Sequence, residues 1–368
     1  MRRALNRRTR NGHSGKVRIA HARAVRRARV FPDHRDRALK KQDHLLCVAP
    51  MMDWTDRHCR YFLRLVSPRA RLYTEMITTG ALMFGNVPRH LDFDPAEHPV
   101  ALQLGGSDPH ALAHCARLGE AWGYDEINLN VGCPSERVQT GSFGACLMAD
   151  PALVAECVSA MRDAVALPVT VKHRIGIDAI EGYGFVRDFV GTVAEAGAGA
   201  FLVHARNAIL KGLSPKENRE VPPLKYDYVH RLKRDFSELT IVINGGIVTH
   251  QAIAEQLAHV DGVMLGRAAY HNPYLLAEAE EYCFPDAGAP RTRAEIVRAL
   301  VPYARAQLQS GVALRAIAQH VLGLYHGRSG GRAWRRMLSD ATLLRTAGPE
   351  LFLAALREVE PVAVADAA

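Results

Sequence analysis

The chain has 368 residues, of which 48% are hydrophobic, and its formal net charge is +9. This length can bury the core of one large domain of ~250 residues and a smaller one. No apolar run approaches the ~20 residues that cross a bilayer, and the basic amino terminus lacks the apolar stretch of a secretion signal. We therefore expect a cytoplasmic protein that binds no membrane. The seven cysteines form no CxxC pair, which argues against a disulfide framework and against a metal site.

The positive charge is concentrated at the amino terminus. Residues 1–42 hold 15 of the 47 Lys and Arg and 2 of the 38 Asp and Glu, which leaves 32 basic and 36 acidic residues for the rest. Nucleic-acid binding by the slightly acidic body would have to come from local patches. Residues 1–42 show no useful periodicity, and we predict a disordered extension. It is either an RNA-binding arm or a non-functional addition, and we favour the addition because termini tolerate such changes.

From Leu45 onward, apolar strand candidates alternate with helical segments. Helix-start signals lie between them, such as the Asp-Pro that opens Asp108–Trp122 and the Asp150 that precedes residues 151–164. Eight alternations over ~220 residues predict a (β/α)₈ TIM barrel spanning residues 43–288. A doubly wound sheet is the alternative, but no GxGxxG follows the first strand. The predicted strands are Leu45–Pro50, Arg71–Glu75, Val100–Leu104, Glu126–Asn130, Val169–His173, Ala200–His204, Ile241–Asn244 and Gly262–Leu265.

Polar and glycine-rich groups collect at the ends of these strands. A TIM barrel has its active site at the carboxyl ends of its strands. Any one of these groups could instead cap a neighbouring helix, but seven of the eight strands end in such groups, which predicts a polar site at one rim. In chain order the strand ends are Pro50–Met52, Glu75, Gln103, Asn130 with Cys133, Lys172 with His173, His204 with Arg206, Asn244–Gly246, and Gly266 with Arg267.

Cys133 lies where the fourth strand opens into a loop. The segment from Asn128 to Met148 reads NLNVGCPSERVQTGSFGACLM. Pro134 fixes φ, and three nearby glycines let the backbone pass close to a flat ligand. A thiol at this place can meet a ligand that lies over the loop. The alternative is that Cys133 is a small buried hydrophobe, the commonest role of a lone cysteine.

The last two strands carry a phosphate-binding signal. INGGI at 243–247 and LGR at 265–267 put small residues and backbone amides where barrels bind phosphate. Gln103 can hydrogen-bond an isoalloxazine edge, and Lys172 can place a positive charge near N1 and O2 of the reduced ring. We therefore predict flavin mononucleotide (FMN) as the cofactor. The alternatives are that Lys172 pairs with Glu75 and that the glycines only form tight turns.

Beyond the eighth strand the pattern becomes helical. Apolar residues such as Ile296, Leu300 and Ile317 recur at helical spacing, which predicts a helical domain over residues 289–368. The segment HGRSGGRAWRRML suits a phosphate backbone because four guanidinium groups surround an aromatic ring. A basic helix face that binds nothing is the alternative. The residues concerned are Arg328, Arg332, Trp334, Arg335 and Arg336.

From Leu45 to about Arg345 the chain resembles the tRNA-dihydrouridine synthases, and within them the A subfamily. The resemblance rests on APMMDWTDRHCR, LQLGG, NLNVGCPSERVQ with FGACLM, KHRIGID, GLSPKENRE, and INGG with LGR. Two features depart from that family. Residues 1–42 have no counterpart, and Ile209 stands where members often have a tryptophan, which removes one possible RNA contact.

The resemblance implies a flavin-bearing barrel followed by a helical tRNA-binding domain. It implies reduction of uridines 20 and 20a in the tRNA D-loop, with NADPH or NADH as electron source, a hydride from reduced FMN to C6 and a proton from Cys133 to C5. The target base must be turned out of the tRNA fold. The positions matched to flavin binding are Pro50, Met51, Met52, Gln103, Lys172, His204, Asn244, Gly245, Gly246, Gly266 and Arg267, and those matched to tRNA binding are Asn130, Lys216, Arg219, Arg332 and Arg335.

Two other functions remain open from the sequence. A barrel flavoenzyme that reduces a free pyrimidine would share the flavin site but would not need GLSPKENRE or the carboxy-terminal arginines. A tRNA-binding protein without catalysis would be colourless. The sequence does not fix the oligomeric state, for which we expect a monomer, or the choice between NADPH and NADH.

Overall fold

The computed structural model describes residues 41–135, 141–180, 182–286 and 288–360. The predicted disorder of the basic extension concerns residues outside these ranges, apart from Lys41 and Gln42, which begin the 3₁₀ turn Lys41–His44. Within the described ranges, no helix is long and apolar enough to cross a membrane.

Parallel strands close into a barrel, as predicted. β2 and β3 share one of its eight positions, because both pair with β4. β1 pairs with β2 on one side and with β9 on the other, which closes the barrel. Each of the eight predicted strands overlaps an observed one. The strands are β1 (Leu46–Val48), β2 (Arg71–Tyr73), β3 (Ile77–Thr78), β4 (Val100–Gly105), β5 (Glu126–Val131), β6 (Val169–Arg174), β7 (Ala200–His204), β8 (Thr240–Asn244) and β9 (Gly262–Leu265).

Helices cover the outside of the barrel. The predicted caps are present, since the Asp108 carboxylate accepts from two amides at the start of α4 and the Asp150 carboxylate accepts from Leu153 N at the start of α5. The helices are α1 (Arg57–Val66), α2 (Thr79–Phe84), α3 (Val87–Leu91), α4 (Pro109–Trp122), α5 (Pro151–Ala164), α6 (Tyr183–Glu195), α7 (Tyr226–Asp235), α8 (His250–Leu257), α9 (Arg267–His271) and α10 (Tyr274–Cys283), with 3₁₀ turns at Pro95–Glu97, Gly144–Ala149 and Glu217–Arg219.

The carboxy-terminal region is helical and packs on the barrel. Ile296, Leu300 and Ile317 are buried, as their spacing predicts. On the barrel side, His58 Nδ1 lies 2.7 Å from the Tyr303 hydroxyl, and the ring of Tyr61 stacks on that of Tyr303 at 3.7 Å. These contacts join the helical region to α1. Its helices are α11 (Arg293–Gln309), α12 (Leu314–Val321), α13 (Gly331–Ser339), α14 (Ala341–Thr346) and α15 (Leu351–Val359).

Candidate active site

Strand alternation decides which of the predicted residues enter the barrel. On β6, Lys172 points inward, and its Nζ donates to Asn244 Oδ1 on β8 at 3.3 Å. The next residue, His173, is fully buried on the opposite face, where it packs against Phe189 and Phe201. Its prediction as a residue of the rim is therefore wrong, because successive side chains of a strand point to opposite faces.

The ammonium group of Lys172 has no carboxylate partner among the described residues. Glu75, the predicted alternative partner, instead accepts from the amide of Asp53 at 2.5 Å. Burial and the nearby Arg174 lower the pKa of Lys172 to about 7. An inward-pointing amine in this state favours an anionic ligand, which would restore its charge.

The Gly245–Gly246 turn follows β8 next to His204. Both glycines have left-handed backbones, with φ of +114° and +70°. A Cβ at Gly245 would lie 2.8 Å from His204, and one at Gly246 would lie 2.5 Å from Leu224. The turn therefore requires glycine at both positions. Burial and the neighbouring arginines and lysine lower the pKa of His204 well below its usual value, which keeps the imidazole neutral.

Cations surround the mouth of the barrel. Arg174 donates from Nε to the carbonyl of Gly132 at 3.2 Å, so it braces the loop of Cys133. Arg267 pairs with Glu220 at 2.5 Å, and Arg206 donates to the carbonyl of Glu220 at 3.3 Å. Burial lowers the pKa of Arg174 to about 10. Together with Lys172 these groups make a positive mouth that attracts anions.

The first and last strands bring two predicted flavin-binding segments together. A Cβ on Gly266 would lie 3.9 Å from Met51 Sδ, so the segment after β1 and the segment after β9 are neighbours. The amide of Met51 donates to Thr55 Oγ1 at 2.9 Å, and its carbonyl accepts from the amide of Thr55 at 2.9 Å. The backbone of Met51 is thus already paired, whereas the side chain of Met52 is exposed.

The GLSPKENRE loop is held from within by Asn218. This fully buried side chain donates to the carbonyl of Ile209 at 2.8 Å and accepts from the amide of Ile209 at 2.7 Å. Arg174 donates to the Asn218 carbonyl at 2.9 Å, which ties the loop to the barrel mouth. Lys216 and Arg219 stand exposed on this braced loop.

Cys133 is half-buried at the mouth, unlike the fully buried Cys47 and Cys59. Asn130 Oδ1 accepts from the amides of Gly132 at 3.1 Å and Cys133 at 3.0 Å. The carbonyl of Cys133 accepts from the amide of Ala145 at 3.0 Å. The backbone at Gly132 and Cys133 is therefore held on both sides of the thiol, which is partly exposed and also packs against the core.

Gln103 lies inside the barrel, between two asparagines of β5. Its Nε2 donates to Asn128 Oδ1 at 2.7 Å, and its Oε1 accepts from Asn130 Nδ2 at 2.8 Å. Sequence reasoning missed Asn128 and Glu126. The available signal was polar residues at every second position of an otherwise apolar strand, which places them on one face.

The carboxy-terminal arginines are exposed, but Trp334 is not. Trp334 is fully buried, and its Nε1 donates to the carbonyl of Val321 at 2.9 Å. The prediction that its ring belongs to an RNA-binding surface is wrong, because Trp334 lies on the inner face of α13. The exposed arginines form no ion pair with any described residue; they are Arg328, Arg332, Arg335 and Arg336.

The fold and the site define an enzyme class: a TIM-barrel enzyme with a fixed thiol beside a cationic mouth. Residues 47–360 match the family described as Dihydrouridine synthase (Dus). The chain belongs to this family, whose members are flavin-dependent oxidoreductases that reduce uridine in tRNA. The matched segment begins within β1 and covers every later strand of the barrel and the whole helical region described above.

Curated relatives carry a consistent name, tRNA-dihydrouridine(20/20a) synthase. The protein of this name from Synechocystis sp. is 57% identical over 312 residues, which cover 85% of this chain and 93% of the relative. That from Pseudomonas putida is 60% identical over 292 residues, covering 79% and 87%. That from Shewanella oneidensis is 53% identical over 326 residues, covering 89% and 97%.

Proposed function

We propose that this chain reduces uridines 20 and 20a in the D-loop of tRNA to 5,6-dihydrouridine, with FMN as cofactor and NADPH, or NADH, as electron source. The observation that carries the proposal is that Cys133 is fixed at the same barrel mouth as Lys172, an inward-pointing amine without a carboxylate partner among the described residues. The relatives named for positions 20 and 20a, at 53 to 60% identity, support the choice of uridines.

The residues at the mouth fit FMN. Lys172 lacks an anionic partner in the part of the chain that the structure describes, and the buried Nε of Arg206 has no hydrogen-bond acceptor there. Both are donors suited to an anionic cofactor. When bound, FMN would supply the hydride for C6 of the base. The residues proposed to hold it are Pro50, Met51, Met52, Gln103, Lys172, His204, Asn244, Gly245, Gly246, Gly266 and Arg267.

Cys133 is proposed to hold a proton on Sγ and to deliver it to C5 of the uracil. General acid catalysis requires a donor in a fixed place. Asn130 and Ala145 hold the backbone of Cys133 from either side. The neighbouring Arg174 braces Gly132 and adds a positive charge near the base.

We further propose a barrel domain over residues 43–288 and a tRNA-binding helical domain over residues 289–368. Lys216, Arg219, Arg332 and Arg335 are exposed and can reach a phosphate backbone. Asn130 is also proposed to contact tRNA, although its amide already bonds to Gln103 and to two backbone amides. We place the reaction in the cytoplasm and expect a monomer.

The proposed reaction is tested with purified protein, FMN and unmodified tRNA. We expect dihydrouridine at positions 20 and 20a, mapped by mass spectrometry of nuclease fragments, with NADPH and NADH each supplied in turn as the electron source. Free uridine and uracil are the controls. Reduction of the free pyrimidines at a comparable rate would favour the small-molecule alternative, and a colourless protein that binds tRNA without modifying it would favour the non-catalytic one.

Lys172→Met should weaken FMN binding by about 10- to 100-fold, as expected for a lost charge-assisted hydrogen bond. Because the pKa of Lys172 is about 7 in the free chain, an anionic ligand should raise it and binding should take up a proton above pH 7. FMN affinity should therefore fall as pH rises above 7, and Lys172→Met should abolish this dependence. Calorimetry in buffers of different ionisation enthalpy measures the proton uptake.

The same pKa predicts an effect on the free protein with a defined sign. The folded pKa lies below the unfolded value near 10.5, so Lys172 should contribute a gain in stability to the flavin-free fold as pH rises from 7 to 10.5. The buried thiols, whose pKa values are raised, contribute with the opposite sign above pH 9, so the Lys172 contribution is measured as the difference between the parent and the variant. Lys172→Met should remove that gain, whereas the exposed control Lys216→Met should keep it. Proton uptake and a stability profile that are both unchanged in Lys172→Met would refute the assignment.

A further inference from the structure

A chain of hydrogen-bonded side chains runs inside the barrel from Glu126 towards Cys133. Glu126, Asn128 and Asn130 alternate along β5, so all three point inward. Four steps of strand separate Glu126 from Asn130, a distance of about 13 Å. We call this set the polar relay; it consists of Glu126, Thr170, Asn128, Gln103 and Asn130.

The relay begins at a carboxylate, which can accept hydrogen bonds but cannot donate them. Glu126 is fully buried and accepts from His44 Nε2 at 2.8 Å, the Tyr73 hydroxyl at 2.9 Å and the Thr170 hydroxyl at 2.5 Å. Arg71 lies 3.2 Å away. Burial alone would raise the pKa of Glu126, but His44 and Arg71 hold it below its usual value. The group is therefore ionised, and the single proton of Thr170 is committed to it.

The direction of the Thr170 hydrogen bond fixes the orientations of the Asn128 and Gln103 side-chain amides. Because the Thr170 proton points at Glu126, Thr170 Oγ1 can only accept from Asn128, and Asn128 Nδ2 donates to it at 2.8 Å. The carbonyl oxygen of Asn128 then faces Gln103 and accepts from its Nε2 at 2.7 Å. Each amide has one donor end and one acceptor end, so its orientation follows from that of its neighbour.

The same logic reaches the loop of the thiol. With Nε2 turned to Asn128, Gln103 presents Oε1 to Asn130, whose Nδ2 donates to it at 2.8 Å. Asn130 is left with its oxygen towards the loop, where it accepts from the amides of Gly132 and Cys133. Had any amide of the relay been turned over, Asn130 would present an NH₂ group to two N–H groups.

We propose that Glu126 is a positioning residue of the active site: its carboxylate sets the direction of donation along the polar relay, and thereby fixes the Gln103 amide and the Cys133 loop. That this loop matters for catalysis depends on the proposed function, in which Cys133 is the acid. A structural role limited to the cluster with His44, Arg71 and Tyr73 is the competing account. The proposal predicts that a change at Glu126 alters the hydrogen bonds of Asn130 with the Cys133 loop, whereas the competing account predicts no effect there.

Glu126→Gln tests the direction of donation with almost no change of volume. Arg71 and His44 favour an oxygen opposite them, so the new NH₂ group faces Thr170. Thr170 then accepts from Gln and donates to Asn128, and each amide beyond it turns over. Hydrogen–deuterium exchange of the amides of Gly132 and Cys133 should rise by about 10- to 100-fold, as for a lost buried hydrogen bond, while strands on the far side of the barrel keep their protection.

A second carboxylate should rescue the reversed relay. Asn130→Asp alone sets a carboxylate against Gln103 Oε1, so two acceptors face each other. In the double variant with Glu126→Gln, Gln103 is turned over and its NH₂ group meets the new carboxylate, whose other oxygen accepts from the loop amides. The double variant should therefore exchange more slowly at Gly132 and Cys133 than Glu126→Gln does, and close to the parent rate.

Thr170→Val provides a milder break, because it leaves Glu126 with His44, Arg71 and Tyr73. It removes only the hydroxyl that passes the direction on, so exchange at Gly132 and Cys133 should again rise. Unchanged exchange at these amides in Thr170→Val, or a double variant that exchanges as fast as Glu126→Gln, overturns the proposal. The amide readout does not depend on catalysis: if Cys133→Ser keeps full activity while the exchange pattern holds, the acid assignment fails and the relay stands.

Discussion

Cys133→Ser should yield a yellow protein that binds tRNA and is reduced by NADPH at the normal rate, yet forms dihydrouridine about 10² to 10⁴ times more slowly, the usual contribution of a general acid. The hydroxyl keeps a small polar group on the loop but is a much weaker acid than the thiol. Stopped-flow absorbance separates reduction of the flavin by NADPH from its reoxidation by tRNA. The defect should appear only in the second step.

Cys146→Ser is the matched control for this substitution. Cys146 is also half-buried on the glycine-rich segment after β5, and its Sγ donates to the carbonyl of Phe143 at 3.1 Å. Burial raises the pKa of this thiol, and we expect its loss to leave the reoxidation rate unchanged. A normal rate in Cys133→Ser combined with a slow one in Cys146→Ser would move the role of acid to Cys146.

Trp334→Ala should lower the free energy of unfolding by about 3 to 5 kcal/mol, the range for truncation of a buried aromatic residue. The ring is fully buried against Tyr325, and its Nε1 donates to the Val321 carbonyl. Loss of the ring leaves a cavity between α12 and α13 and removes one of the two donors to the Val321 carbonyl, which keeps its bond from the amide of Leu324. Urea unfolding followed by fluorescence and circular dichroism measures the change.

Arg335→Ala, at the neighbouring position, should affect tRNA binding and not stability. Arg335 is exposed, so its loss should change stability by no more than about 0.5 kcal/mol. It should weaken tRNA binding and reduce the slope of log affinity against log salt by about 0.7 to 0.9, as for one lost phosphate contact. Equal effects of the two substitutions on stability, or a salt slope that Arg335→Ala leaves unchanged, would contradict the assignment of this surface.

The barrel could be predicted from the sequence because its strands are short apolar runs separated by helix-start signals. β3 could not, since two residues carry no detectable alternation. Helical periodicity could have predicted the burial of Trp334. Gly331, Trp334 and Leu338 lie on the buried face of α13, while arginines occupy the other, so spacing should have outweighed the general suitability of an aromatic ring for RNA.

The direction of the polar relay was beyond sequence reasoning. It depends on the register of three strands, in which Gln103 pairs with Asn128 and Asn128 with Thr170, and no local pattern specifies that register. The state of Lys172 was equally undetermined, because the sequence allowed a pair with Glu75. Only the fold shows that Glu75 accepts from the amide of Asp53, whose φ of +64° turns the segment after β1 towards it.

The contact between α1 and the helical region has a consequence for the choice of nucleotide. Tyr61 stacks on Tyr303, and His320 lies 3.1 Å from the carboxylate of Asp56, so the helical region cannot slide along the barrel without breaking these contacts. These contacts hold the arginines of α13 at one distance from the thiol. With tRNA bound at those arginines as proposed, this distance would select the nucleotide that reaches Cys133.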